Sequence, residues 1–386
     1  MYKEGNGDRR EIKVSLIAGL YTGVGKTTFT LGLLELFKTR NLVSFKVGPD
    51  YVDPVYHEVI TGKRSPSLDS FFLPPEELKR HFCRCSWNSE FAIAEGVMGL
   101  LDGTIGGKPS TDDVACILDL PVVLLVESIP SVQTLAAMVE GVVDHADSRI
   151  VGIVLTKVRS ADLLRKQMAV MKSVTGVDVI GGIPYDSRLF MPSRHLGLDT
   201  DFSGVREVAS ASAELIDKYC DVNRLFGSVE IRKVESVFSG FDKVVAVAND
   251  EAFLFFYPEN LKWFEDAGYR VEFFSPLHDE VPPQADAYYL PGGYPEVHAS
   301  QLSGNTAMID AVREIAEEGV PVLAECGGFM YLTDFIGDER MVGFIRGKVK
   351  LSDKLQGFGY RDVCVLKESF LVLVYTLGLT SFTIVG

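Results

Sequence analysis

The residues with the most chemical content lie near the start of the chain, in Gly19-Leu20-Tyr21-Thr22-Gly23-Val24-Gly25-Lys26-Thr27-Thr28. Glycines such as Gly23 and Gly25 let a backbone curl so that successive N–H groups face phosphate oxygens. A helix beginning at Lys26 adds positive potential at its N-terminus. In that arrangement Lys26 reaches the β- and γ-phosphates of a nucleotide and the Thr27 hydroxyl holds Mg2+, with Thr28 next in line. The spacing departs from G-x-x-x-x-G-K-T, which would place glycine at Leu20. A metal that assists phosphoryl transfer needs further oxygen ligands. Two carboxylates, Asp50 and Glu95, each follow a strand-like run, and with Thr27 they form the expected metal set. Asp53 falls in the expected substrate region. Lys63, Arg64, Arg188 and Arg194 are candidates for a basic rim that meets substrate carboxylates.

A second constellation reads Val320-Pro321-Val322-Leu323-Ala324-Glu325-Cys326-Gly327-Gly328, a buried strand ending in a cysteine before a helix. A nucleophile on a sharp strand-to-helix turn needs small neighbours, and the two glycines supply them. The helix N-terminus behind it is expected to lower the thiol pKa. Upstream, Leu290-Pro291-Gly292-Gly293-Tyr294-Pro295-Glu296 is a glycine loop at another strand end, and Gly292 and Gly293 are the candidate oxyanion donors for acyl transfer. His81-Phe82-Cys83-Arg84-Cys85 lacks the second cysteine pair of a zinc site and reads as free thiols.

The elements that must position these groups alternate. Strand-like runs at Ile12–Ala18, Leu42–Val47, Phe91–Ala94, Val122–Val126, Ile150–Leu155 and Val177–Ile183 are separated by amphipathic stretches such as Lys26–Lys38, the signature of a parallel sheet with crossover helices. A less apolar segment from about Asp221 to Asp242 interrupts the pattern. It resumes at Val244–Ala248, Val271–Phe274, Ala287–Leu290 and Val320–Ala324. The expected organisation is an α/β P-loop domain over 1–222, a linker over 223–241 and a second α/β domain over 242–386. The length of 386 residues fits two or three domains. A formal net charge of −15 disfavours nucleic acid and anionic membranes as partners. The charged N-terminus and six scattered cysteines point to a cytoplasmic protein without a disulfide framework.

The chain resembles the cobyrinic acid a,c-diamide synthase family, which includes the Ni-sirohydrochlorin a,c-diamide synthases of coenzyme F430 assembly. The resemblance is carried by Thr22–Thr28, Phe45–Asp53, Ser67–Ser70, Glu95–Gly103, Pro192–Leu198, Asp250–Phe253, Phe274–Leu277, Leu290–His298 and Ala324–Leu332, in family order over roughly 12–370. It implies an N-terminal ATP-dependent synthetase domain similar to dethiobiotin synthetase, and a C-terminal class I glutamine amidotransferase domain. ATP and Mg2+ would activate a side-chain carboxylate of a tetrapyrrole polycarboxylate as an acyl phosphate. Ammonia, free or released from glutamine by Cys326, would displace the phosphate. The family histidine that activates the nucleophile sits in a downstream Gly-His-Glu-Phe-His-Tyr-like segment, and no histidine follows His298 here. The expectation is therefore a second domain truncated or frame-shifted at its C-terminal end, with its glutaminase half-reaction impaired. Thr156-Lys157 stands where relatives tend to carry an asparagine that reads adenine. A homodimer is an allowed assembly. A partition-type P-loop ATPase, the alternative of another class, would place a lysine at Tyr21 and leaves Cys326 without a purpose.

Overall fold

The computed structural model describes residues 4–104, 106–191, 203–234 and 240–350. Residues 4–191 and 203–234 fall in one compact unit and 240–350 in a second.

The first unit runs β1 (Glu4–Gly19), α1 (Lys26–Phe37), β2 (Leu42–Val47), α2 (Val52–Thr61), β3 (Ser67–Leu68), α3 (Pro75–Ser86), β4 (Phe91–Glu95), α4 (Thr111–Leu118), β5 (Val122–Glu127), α5 (Val132–His145), β6 (Ile150–Val158), α6 (Ala161–Thr175), β7 (Val179–Pro184), α7 (Ser203–Tyr219) and β8 (Gly227–Val234). The sheet order is β3-β2-β4-β1-β5-β6-β7, all parallel, with β8 added antiparallel to β1. Strands covered on both faces are continuously apolar, and Val122–Val126 of β5 are wholly buried. Each such side chain contributes about 1.5–3 kcal/mol of burial. β1 is central, so the loops after β1, β2 and β4 open at neighbouring strand ends on one edge, where α/β sheets place their ligands.

The segment expected as a linker over 223–241 is instead largely structured. Its residues Gly227–Val234 form β8, and Arg10 pairs in register with Ile231 and Ile12 with Val229. Alternate burial explains why the sequence conceals it: Val229 and Ile231 face the core while Ser228, Glu230 and Arg232 face out. That pattern lowers the mean hydropathy of the stretch without breaking the strand.

The second unit contains β9 (Lys243–Ala248), α8 (Pro258–Asp266), β10 (Tyr269–Phe274), β11 (Ala287–Leu290), α9 (Ala299–Gly304), α10 (Thr306–Glu317), β12 (Val322–Ala324), α11 (Gly327–Leu332), β13 (Thr333–Ile336), β14 (Glu339–Arg340) and β15 (Ile345–Val349). A parallel sheet in the order β10-β9-β11-β12 carries one apolar cluster on each face. A small sheet, β14-β13-β15, follows. No helix among the described residues is long and apolar enough to cross a membrane.

Candidate functional site: a phosphate loop and a cysteine elbow

At the end of β1 the backbone takes the left-handed conformation at Gly23 (φ 91°) and again at Gly25 (φ 99°), which caps α1. A side chain would be strained at either position. Lys26 and Thr27 open α1 and are buried. The Lys26 ammonium donates to the Met98 carbonyl in the loop after β4. Thr28 donates to the carbonyl of Leu189 at 3.5 Å. The loop is braced from β6, where the Thr156 hydroxyl donates to Val24 O (2.8 Å) and Lys157 bridges Gly23 O (3.2 Å) and Glu127 (2.7 Å). These two residues, which stand where relatives tend to carry a base-reading asparagine, hold the phosphate loop itself.

Beneath the loop lies a buried polar cluster. Thr27 Oγ1 donates to Glu95 Oε1 at 2.7 Å and stands 3.5 Å from Asp53 Oδ2. Lys46, 2% exposed, pairs with Asp53 and lies 3.3 Å from Asp50 and 3.5 Å from Glu95. Burial alone would drive the Lys46 ammonium towards neutrality. Asp53, Glu95 and Asp50 outweigh it and hold the group above its ordinary range. Burial likewise pushes Glu95 up, but Lys46, His57 and Thr27 prevail and keep it ionised, below the usual carboxylate range. An ionised carboxylate can only accept, so His57 Nε2 donates to Glu95 Oε2 (2.9 Å). His57 Nδ1 meets Ser65 Oγ at 2.8 Å, and Ser65 meets Ser44 at 2.6 Å.

Of the expected metal set, Thr27 and Glu95 are in direct contact. Asp50 accepts the amides of Val52 (2.8 Å) and Asp53 (3.3 Å) at the start of α2 through its Oδ1, while its Oδ2 stands 3.3 Å from Lys46. Asp53, assigned from the sequence to the substrate region, is the carboxylate nearer Thr27. Its Oδ1 is buried and unpartnered. Among the described residues no three acidic, histidine or cysteine side chains gather into a ready-made metal cluster. Two carboxylates and a hydroxyl around an unsatisfied oxygen are instead the donor set of a cation that takes its remaining ligands from phosphate and water.

Three of the four residues expected to form a basic rim are among the described residues. Lys63 is exposed, and Arg64 pairs with Glu58 at 2.9 Å. Arg188 is held by Asp186 (2.7 Å) and by Glu214 of α7 (3.0 Å), which ties its turn to that helix rather than presenting a free guanidinium. Arg194 and His195 lie outside the described residues. Lys46 and His57 organise the site, yet the sequence reading gave Lys46 no role and left His57 undecided. A lysine inside the apolar run of β2 was the available signal, since a buried lysine requires anionic partners.

In the second unit Cys326 occupies the turn between β12 and α11 with φ 45° and ψ −106°. A non-glycine residue there carries about 1–3 kcal/mol of strain, the mark of a nucleophile elbow. The glycines around it are sterically required. A Cβ on Gly328 would lie 2.0 Å from the Leu290 carbonyl oxygen, and one on Gly293 1.9 Å from that of Ala252. A Cβ on Gly327 would stand 3.0 Å from the amide nitrogen of Gly293 and 2.8 Å from Pro295, so the loop after β11 packs directly on the elbow. The amides of Gly327 and Gly293 lie close enough to the Cys326 thiol to favour its ionised form. The expected oxyanion loop therefore reaches the nucleophile through Gly293, with Gly292 adjoining the Cys326 Cβ at 3.5 Å.

The expected lowering of the thiol pKa is not found. Burial pushes it up, the carboxylates of Glu296 and Glu325 add to this, and the two amides only partly offset it. A six-residue helix does not outweigh desolvation here. Glu325 is buried beside the nucleophile, and burial raises its pKa to about 7 against the opposing hydrogen bond from Tyr289 (2.8 Å). Asn260 of α8 donates in turn to the Tyr289 hydroxyl at 3.0 Å. The downstream segment in which the sequence lacks its histidine falls at 351–386, outside the described residues.

A phosphate-binding α/β domain and a cysteine-elbow α/β domain in one chain define a glutamine-dependent amide-forming ligase. Two family models match accordingly. Residues 15–198 match the CobQ/CobB/MinD/ParA nucleotide binding domain and residues 244–370 the CobB/CobQ-like glutamine amidotransferase domain. The chain is 38% identical to the cobyrinate a,c-diamide synthase of Clostridium acetobutylicum, over 92% of this chain and 84% of that one. It is also 38% identical to that of Methanothermobacter thermautotrophicus, over 89% and 80%. The chain belongs to the cobyrinate a,c-diamide synthase family.

Proposed function

We propose that this chain amidates the a and c side-chain carboxylates of cobyrinate, using ATP and Mg2+ to activate each carboxylate and glutamine as the nitrogen donor. The observation that carries the reading is the co-occurrence of two built sites in one chain. One is the buried Thr27–Asp53–Glu95–Lys46 cluster under a phosphate loop. The other is a strained cysteine elbow facing the Gly293 and Gly327 amides.

Carboxylate oxygen is a poor leaving group, so amide formation requires its conversion to an acyl phosphate. Lys26 and the amides of the phosphate loop would bind the nucleotide phosphates, and Thr27, Asp53 and Glu95 would hold Mg2+. Bound there, the cation would neutralise charge on the transferring phosphoryl group. Lys46 holds Asp53 and Glu95 together and keeps Glu95 ionised, and His57 fixes the Glu95 carboxylate in the orientation that Thr27 meets. In the amidotransferase domain the Cys326 sulfur would attack the glutamine side-chain amide. The Gly293 and Gly327 amides would then stabilise the oxyanion, and the released ammonia would displace phosphate from the acyl phosphate.

The test is mass spectrometry of cobyrinate and of Ni-sirohydrochlorin incubated with the protein, ATP and Mg2+, with either glutamine or ammonium. The expected result is cobyrinate diamide from both nitrogen sources, formed more slowly from glutamine because the glutaminase half-reaction is expected to be impaired. Diamide of Ni-sirohydrochlorin alone overturns cobyrinate as the substrate, and product from ammonium alone overturns glutamine as the donor.

A further inference from the structure

Glu296 closes the loop that packs on the cysteine elbow, two residues after Tyr294 and next to Pro295, which touches Gly327. Its Oε2 is buried and has no hydrogen-bond partner. The same side chain lines a cavity of about 450 Å3 with Ala299, Ile336 and Lys348, a volume in the range of small-ligand sites. A carboxylate oxygen withdrawn from water without a partner is costly to keep, and a ligand that completes it removes that cost. Its charge also bears on the Cys326 thiol.

From this geometry we infer that Glu296 is the receptor for the α-ammonium group of the amino-acid donor, and that it sets specificity for glutamine over simple amides. The inference rests on the reading of Cys326 as the glutamine-attacking nucleophile and adds to it how the other end of the substrate is held. A cation is the one common ligand group that answers both features of Glu296. It supplies the missing hydrogen bond, and it cancels the negative charge that opposes ionisation of the neighbouring thiol. Donor binding and nucleophile activation are thereby linked. A simple amide that enters without an ammonium group meets a thiol still held protonated by Glu296. Burial raises the Glu296 carboxyl pKa, its own amide and His298 acting against this.

The test uses two thiol reagents on the full chain. One is 6-diazo-5-oxo-L-norleucine, a glutamine analogue that keeps the α-ammonium group, and the other is iodoacetamide, which has none. Labelling of Cys326 is followed by peptide mass spectrometry in the wild type, Glu296→Gln and Glu296→Asp. The expected result for Glu296→Gln is a tenfold or greater loss of labelling rate with the diazo compound, about the effect of one charge-assisted hydrogen bond. Its iodoacetamide rate should be equal to or faster than that of the wild type. Glu296→Asp, which keeps the charge one methylene short, should recover part of the diazo rate. Equal diazo rates in the wild type and Glu296→Gln overturn the inference, as does a parallel fall with both reagents, which would mark a structural role. A wild-type chain that neither reagent labels at Cys326 overturns the nucleophile reading itself, a separate outcome.

Discussion

Replacing Lys46 with methionine removes the one ammonium set among Asp53, Asp50 and Glu95 while keeping most of the side-chain volume. Lys46 is 2% exposed and Glu95 fully buried, so water cannot take the place of the lost charge. Breaking a buried ion pair from one side costs about 3–5 kcal/mol, a large share of the 5–15 kcal/mol that holds a domain folded. The loss should depend on pH in a defined direction. Glu95 has its folded pKa below the unfolded value, so it contributes stability present above about pH 4.5 that disappears as pH falls through the folded pKa. Without Lys46 that depression shrinks and the contribution is lost at neutral pH. The wild type should therefore exceed Lys46→Met by several kcal/mol at pH 7, the difference narrowing below pH 4.5 and closing only near pH 2. Urea denaturation followed through the first unit at pH 7 and near pH 2 measures this. Because two units need not unfold together, the signal is best taken from Trp87, with Trp263 replaced by phenylalanine. A loss under about 1 kcal/mol at pH 7, or one of equal size at both pH values, would refute the account of a lysine stabilised by its carboxylates.

Three further outcomes follow from the second unit. Cys326→Ser should abolish glutamine-dependent diamide formation and leave the ammonium-dependent product intact, by the same mass-spectrometric assay. Gly293→Ala forces a methyl onto the Ala252 carbonyl and should lower stability by about 1–3 kcal/mol in denaturation while slowing Cys326 alkylation. Glu325 has its folded pKa raised to about 7, so the protonated form is favoured in the folded unit and stability is lost as pH rises through 7. Denaturation at pH 5.5 and 8.5 should show the wild type losing about 2 kcal/mol more than Glu325→Gln over that interval.

Much of this was legible in the residues. Gly23-Val24-Gly25-Lys26-Thr27 and Glu325-Cys326-Gly327-Gly328 announce their backbone geometry, because glycine is demanded where a chain must turn tightly or pack without a side chain. The parallel strands showed as uninterrupted apolar runs. Less local facts did not show. Lys46 and His57 derive their roles from partners 7 to 49 residues away in the sequence, at Asp53, Glu95 and Ser65, which only the fold brings to them. Nor does the sequence show that Arg64 and Arg188 each have a nearby carboxylate in the fold. The thiol expectation weighed a helix end without the desolvation that a glycine-lined elbow imposes.

The φ of 45° at Cys326 has a consequence for how such a chain changes over generations. Glycine accepts that conformation without penalty, so Cys326→Gly should raise the stability of the fold by about 1 kcal/mol while removing the sulfur on which the proposed glutamine turnover rests. Selection for solubility or thermal tolerance, in a laboratory library or in a lineage supplied with ammonia, therefore leads towards the inactive enzyme. Only continued demand for glutamine as the nitrogen source keeps cysteine in that turn.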